Sequence, residues 1–133
     1  MFKGILAALW AGAGLLVSVP GQDAATVKAS TGVYTDAQAA RGKDAFATYC
    51  TGCHTAASQS GEAFSKKWNG ATAADLYKVL SEDMPKDDPG GLAPKDRTDV
   101  MAFLFKINGL ASGANELAAD PEPLKKIVID LVK

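Results

Sequence analysis

Histidine and cysteine are nearly absent from this sequence, and their scarcity excludes much. The 133 residues hold one His, two Cys and three Met. A structural zinc site normally takes four nitrogen or sulfur ligands, one more than the His and Cys of this chain can supply. An excess of positive charge is missing too, with 14 Lys plus Arg against 15 Asp plus Glu and a net charge of −1. Nothing in that balance suggests a nucleic-acid partner. No apolar run reaches the roughly eighteen residues of a membrane-spanning helix; the longest, residues 4–19, is interrupted by Ser18. Repeats and low-complexity stretches are likewise absent, and the length fits one domain with a modest core.

That apolar run has its own meaning. Met1-Phe2-Lys3 supplies a positive charge, Gly4 to Val19 follows, and Pro20-Gly21-Gln22-Asp23-Ala24-Ala25 brings residues suited to cleavage. This is the pattern of a secretory signal peptide, expected over residues 1–25, although the cleavage site is not a clean A-x-A. An uncleaved anchor is the alternative, and only then would the protein be tied to a membrane. The expected location is the periplasm.

Every Cys and the sole His fall in one pentapeptide, Cys50-Thr51-Gly52-Cys53-His54. The C-x-x-C-H spacing is that of c-type haem attachment. Each thiol adds across one vinyl group of the porphyrin, and His54, adjacent to Cys53, reaches under the ring to bind iron. A thioredoxin-like dithiol would need a βαβ setting, which the surrounding sequence does not offer. One covalent haem c is therefore the expected cofactor, held by Cys50, Cys53 and His54. Such a group supplies apolar surface to a small domain and couples its own binding to folding.

With one His in the chain, ligation by two histidines is excluded. Two methionines follow the N-terminal segment. Met101 lies in Val100-Met101-Ala102-Phe103-Leu104, a helical apolar run in which Met usually fills gaps. Met84 stands at a helix-to-loop junction among Glu82, Asp83, Pro85, Lys86, Asp87 and Asp88, with no evident core to fill. A thioether in a proline-stiffened loop suits iron, and Met/His ligation raises the reduction potential. Met84 is the expected second metal ligand, ahead of an open site or a Lys.

The remaining pattern predicts helices. Residues 26–34 have no period and read as a flexible leader. Thr35-Asp36-Ala37-Gln38 has the form of a capping box and starts a helix to about Tyr49. Within it Gly42 is either a tolerated helix glycine or a missing side chain that admits another helix. Thr55 to Gly70 reads as loop, with Phe64 and Trp68 as apolar anchors; Trp68 is either core or a cleft residue whose indole N–H meets a haem propionate. Thr72-Ala73-Ala74-Asp75 caps a second helix bearing Leu76, Val79 and Leu80, which ends near Asp83 because Pro85 disfavours helix at Met84. A third runs from about Lys95, with Pro94 suited to its first turn, to Ile107 before Asn108-Gly109. Its Phe103 could pack across Gly42 and Phe46. The segment 110–133 is a C-terminal extension in which Ile127-Val128-Ile129 fits helix or strand.

These residues together, Gly42 and Phe46, the pentapeptide, Trp68, Met84-Pro85 and the Val100–Leu104 run, resemble the single-haem class I cytochromes c. The resemblance covers the whole mature chain, with residues 35–109 as the cytochrome c domain and the tail after Gly109 longer than a minimal domain has, and it implies an all-α cytochrome c fold, with three main helices around one covalent haem. It implies His and Met as axial ligands and first and last helices that cross at the Gly and aromatic pair. Met84-Pro85, Pro89-Gly90-Gly91-Leu92 and Asn108-Gly109 are similar to small exported cytochromes that accept electrons from periplasmic dehydrogenases. The implied function is single-electron shuttling, not enzymatic turnover, between a dehydrogenase as donor and an oxidase or another cytochrome as acceptor. Alternatives are a dedicated cytochrome subunit of a dehydrogenase or oxidase complex, or a haem protein with an open iron site for a small ligand.

Overall fold

The computed structural model describes residues 25–131; the expected signal segment, except for Ala25, lies outside the described residues. Five helices are present among them: α1 (Asp36–Tyr49), α2 (Gly61–Trp68), α3 (Ala73–Glu82), α4 (Pro94–Ile107) and α5 (Pro121–Leu124). No described helix is long and apolar enough to cross a membrane.

The three long helices start and stop where their termini dictate. The Thr35 hydroxyl accepts from the N–H of Gln38 at 3.1 Å and so satisfies an orphan donor of α1. The reciprocal half of that expected capping box does not form, because the buried Gln38 carboxamide is used elsewhere. Its Nε2 donates to the Leu117 carbonyl (3.1 Å) and its Oε1 accepts from the Leu117 N–H (2.8 Å). At α3 the capping box is complete, with Thr72 and Asp75 exchanging side-chain and backbone bonds. Helix α4 has Pro94 in its first turn, Asn108 as C-cap and Gly109 just beyond at φ +82°, the arrangement in which glycine adopts the left-handed conformation at no steric cost.

Helices α1 and α4 form the most extensive helix pairing among the described residues. Their crossing point is Gly42, which lies against the backbone of Asp99 and the Cβ of Phe103. One turn on, Phe46 and Phe103 meet with ring centroids 5.3 Å apart and planes tilted by 51°, a favourable aromatic geometry. The closer of the two readings of Gly42 is the one the fold uses.

Two regions differ from expectation. The stretch read as loop after Thr55 contains α2, whose Phe64 and Trp68 are one turn apart and both buried. Two large apolar residues in eight are too few to establish a helical period, so packing against the rest of the molecule decides this helix. Residues 26–34 are not a loose leader. Val27–Lys28 (β1) pairs in parallel with Ile127–Val128 (β2), so the extension resolves to strand at that point. Ser30 donates from N and Oγ to the Asp130 carboxylate (2.8 and 2.6 Å), and Tyr34, 1% exposed, donates its hydroxyl to the Leu110 carbonyl (2.6 Å). The extension buries Leu117, Leu124 and Ile129 in the same core. Both ends of the described segment depend on partners about a hundred residues away, which no local pattern records.

Candidate functional site

The pentapeptide is a continuation of α1. Cys50 caps that helix, its N–H donating to the Phe46 carbonyl (2.9 Å), and the N–H groups of Cys53 and His54 both return to the Cys50 carbonyl (3.1 and 2.8 Å). Thr51 adds a bond from its hydroxyl to Ala47 O (2.7 Å). This tight coil sets Cys50, Cys53 and His54 in the lining of one cleft of about 250 Å³. Cys50 is half-buried and Cys53 exposed; burial pushes the Cys50 thiol above its ordinary range.

The walls of the cleft are apolar. Phe46 comes from α1, Phe64 and Trp68 from α2, Leu76 and Leu80 from α3, and Leu104 from α4. Trp68 is thus both buried and a cleft wall, packed on Phe64 at a centroid separation of 6.4 Å. The Nζ of Lys67 lies 4.9 Å from its ring centroid, within cation–π range.

Met84 reaches this cleft from the loop after α3, together with Pro85, Lys86 and Asp87. The Met84–Pro85 peptide is cis. Met101 lies elsewhere, fully buried in the core and off the cleft wall. Cys50, Cys53, His54 and Met84, selected from the sequence, therefore line one cavity, as do Lys67 and Lys86.

Two polar residues escaped the sequence reading. Arg97 on α4 donates from Nη2 to the Gly90 carbonyl (3.1 Å), and the Gly90 N–H donates to the Met84 carbonyl (3.2 Å). The guanidinium also stands 5.9 Å from the Tyr77 ring centroid. A hydrogen-bonded path thus runs from α4 into the Met84 loop. Gln59, in the turn before α2, lies with its carboxamide 3.1 Å from Nδ1 of His54. Neither residue carries a local signal: an Arg on a polar helix face and a Gln in a loop are ordinary until the fold shows what they touch.

Among the described residues no group of three or more His, Cys, Asp or Glu is placed to hold a bare metal ion. The donor set instead fits a flat, apolar, iron-bearing macrocycle: two thiols for covalent attachment, an imidazole, a thioether, and a cleft walled by aromatic and branched side chains. Residues 37–104, just over half of the chain, match the family model for cytochrome c oxidase, cbb3-type, subunit III.

The chain belongs to that family. It is a single-haem class I c-type cytochrome domain carrying covalently attached haem c with its iron, and its function is haem-based electron transfer to and from redox partner proteins. No curated protein and no solved structure matches it. The mostly helical architecture agrees with the cytochrome c fold, with α2 and α5 added to the three main helices expected.

Proposed function

We propose that this cytochrome is a periplasmic electron carrier in which Cys50 and Cys53 form the thioethers and His54 and Met84 hold the iron. The observation that carries this reading is that Met84 lines the same cleft as the attachment motif while Met101 is enclosed in the core.

Bound there, the haem supplies a one-electron couple between Fe(II) and Fe(III). The protein does the rest. The two thiols fix the group to the end of α1, so that its position follows from the α1–α4 crossing. With His54 and Met84 both holding the iron, no coordination site would remain for a substrate, which disfavours an enzymatic role. Apolar walls from α2, α3 and α4 exclude water; a thioether ligand and a dry shell both favour the reduced state and raise the potential. Trp68 offers an indole N–H at the cleft wall suited to a propionate. The donor is a dehydrogenase and the acceptor an oxidase or another cytochrome.

A second reading is favoured by the family match, whose description names an oxidase subunit: the chain would then be a dedicated subunit of such a complex. Stable co-purification with a large partner supports that reading, and a freely exchanging monomer supports the carrier.

The deciding test is extraction of the purified native protein with acidified acetone. The colour should stay with the polypeptide, and each single Cys50→Ala or Cys53→Ala variant should retain one thioether. His54→Ala should fail to give a stable coloured protein. A wild-type chain that releases its pigment sinks the attachment assignment, and the N-terminal sequence of the mature protein tests export.

A further inference from the structure

Gln59 is the only side chain recorded in hydrogen-bond contact with the His54 ring among the described residues, its Nε2 standing 3.1 Å from Nδ1. An imidazole that binds iron through one nitrogen carries its proton on the other, and a metal-bound His almost always donates that proton to a fixed acceptor. The contact with Gln59 occupies Nδ1 and leaves Nε2 as the nitrogen free for iron. Nδ1 must then donate, and the amide end able to accept is Oε1, which a half-turn of the carboxamide brings to the same place.

We infer that the Gln59 side-chain carbonyl accepts the Nδ1 proton of His54 and is the residue that orients this ligand and sets its basicity; this rests on His54 being bound to iron. The position of Gln59 is fixed from the far side of the domain. Its own carbonyl accepts from Asn108 Nδ2 (3.0 Å), while Asn108 Oδ1 accepts from the Gly61 N–H (2.9 Å). The Gln59 N–H closes a turn onto Ala56 O (3.1 Å), and reciprocal bonds between Thr55 and Ser58 brace the same turn. The C-cap of α4 therefore clamps the segment that presents the acceptor to His54. Gln59 is half-buried, which shields the bond from competing water without isolating it.

The consequence is electronic. An acceptor at Nδ1 gives the imidazole more anionic character and makes it a stronger donor, which favours Fe(III). Gln59→Leu removes the acceptor and should raise the reduction potential, whereas Gln59→Glu supplies a stronger one and should lower it. Ala56→Glu, at an exposed neighbouring position, places a similar charge without reaching the ring, and its shift should be smaller than that of Gln59→Glu.

The experiment measures these potentials on the holoprotein and, independently of any variant, the ring nitrogens of the sole His by 15N NMR in the reduced wild-type protein. The expected result is a protonated Nδ1 whose proton exchanges slowly in wild type and rapidly in Gln59→Leu, with opposite potential shifts in the Leu and Glu variants. An unprotonated Nδ1 in wild type overturns the inference, as does a Gln59→Leu protein that keeps its low-spin spectrum, its potential and its slow ring-proton exchange. A wild-type spectrum showing neither ring nitrogen on iron would instead overturn the ligation reading itself, so the two failures are distinguishable.

Discussion

A methyl group placed on Gly42 would lie 1.7 Å from the carbonyl oxygen of Asp99. That atom belongs to the backbone of α4 and cannot rotate aside, so the two helices would have to separate. Gly42→Ala is expected to destabilise the protein by about 3 kcal/mol or more, at the upper end of overpacking costs, despite the better helix propensity of Ala. Denaturant midpoints measure this. A loss below about 1 kcal/mol would mean that the α1–α4 crossing is not tight at this residue.

The two methionines should behave differently. Met84→Ala should open the iron to cyanide or carbon monoxide, lower the potential and abolish the weak far-red band of oxidised Met-ligated haem c. Met101→Leu, a near volume-conserving swap in the core, should cost below about 1.5 kcal/mol and leave the spectrum alone. Reversal of these spectra would make Met101 the iron ligand, and retention of a six-coordinate spectrum in both variants would point to Lys86, which also lines the cleft.

Arg97 should act on Met84 through the loop. Arg97→Leu removes the donor to Gly90 O and frees the residue whose N–H holds the Met84 carbonyl. A hydrogen bond from a charged donor is worth about 1.5–3 kcal/mol, so the loop should open more readily by about that amount. Faster cyanide binding to the oxidised protein is the expected readout, with the covalent haem retained. An unchanged rate would detach Arg97 from the loop's stability.

Asp99 makes stability depend on acid. Burial would raise its pKa, but hydrogen bonds from Arg41 (2.9 and 3.0 Å) and Lys95 (2.6 Å) outweigh burial and hold it below the usual carboxylate range. A folded-state pKa below the unfolded value gives stability that is present above the unfolded value and lost as pH falls through the folded one. The loss should therefore begin below about pH 4. Asp99→Asn should flatten that limb and cost about 2 kcal/mol near neutrality, less than breaking a fully buried pair because Arg41 remains 40% exposed. An Asn variant with the wild-type acid profile would exclude Asp99 as its source.

A partner docking at the loop around Met84 should meet an acidic surface. Glu82, Asp83, Asp87 and Asp88 are exposed there, against Lys86. A basic or neutral patch on the partner would be steered by these carboxylates, mainly through encounter rate, and exposed charges are screened within about 8 to 10 Å near physiological salt. Electron transfer should slow as salt rises, and Asp87→Lys with Asp88→Lys should slow it at low salt only. Rates indifferent to both would place docking elsewhere on the surface.

The sequence by itself carried the attachment proposal, because covalent addition and His binding require neighbours in the chain: five consecutive residues express it without reference to the fold. It determined the long helices for a related reason. Thr35, Thr72, Pro94 and Asn108 act on backbone groups within a turn of themselves, so their meaning is local. Gly42 was half legible, since its two readings differed only in whether another helix came near. The tertiary structure decided what depends on distant partners. It set Met84 on the cleft wall and Met101 in the core, gave α2 a wall to pack against, and joined residues 27–28 to 127–128. It also put Gln59 beside His54 and Arg97 beside Gly90. Such contacts are fixed by packing of whole elements, and a side chain's neighbours across the fold leave no mark on its own stretch of sequence.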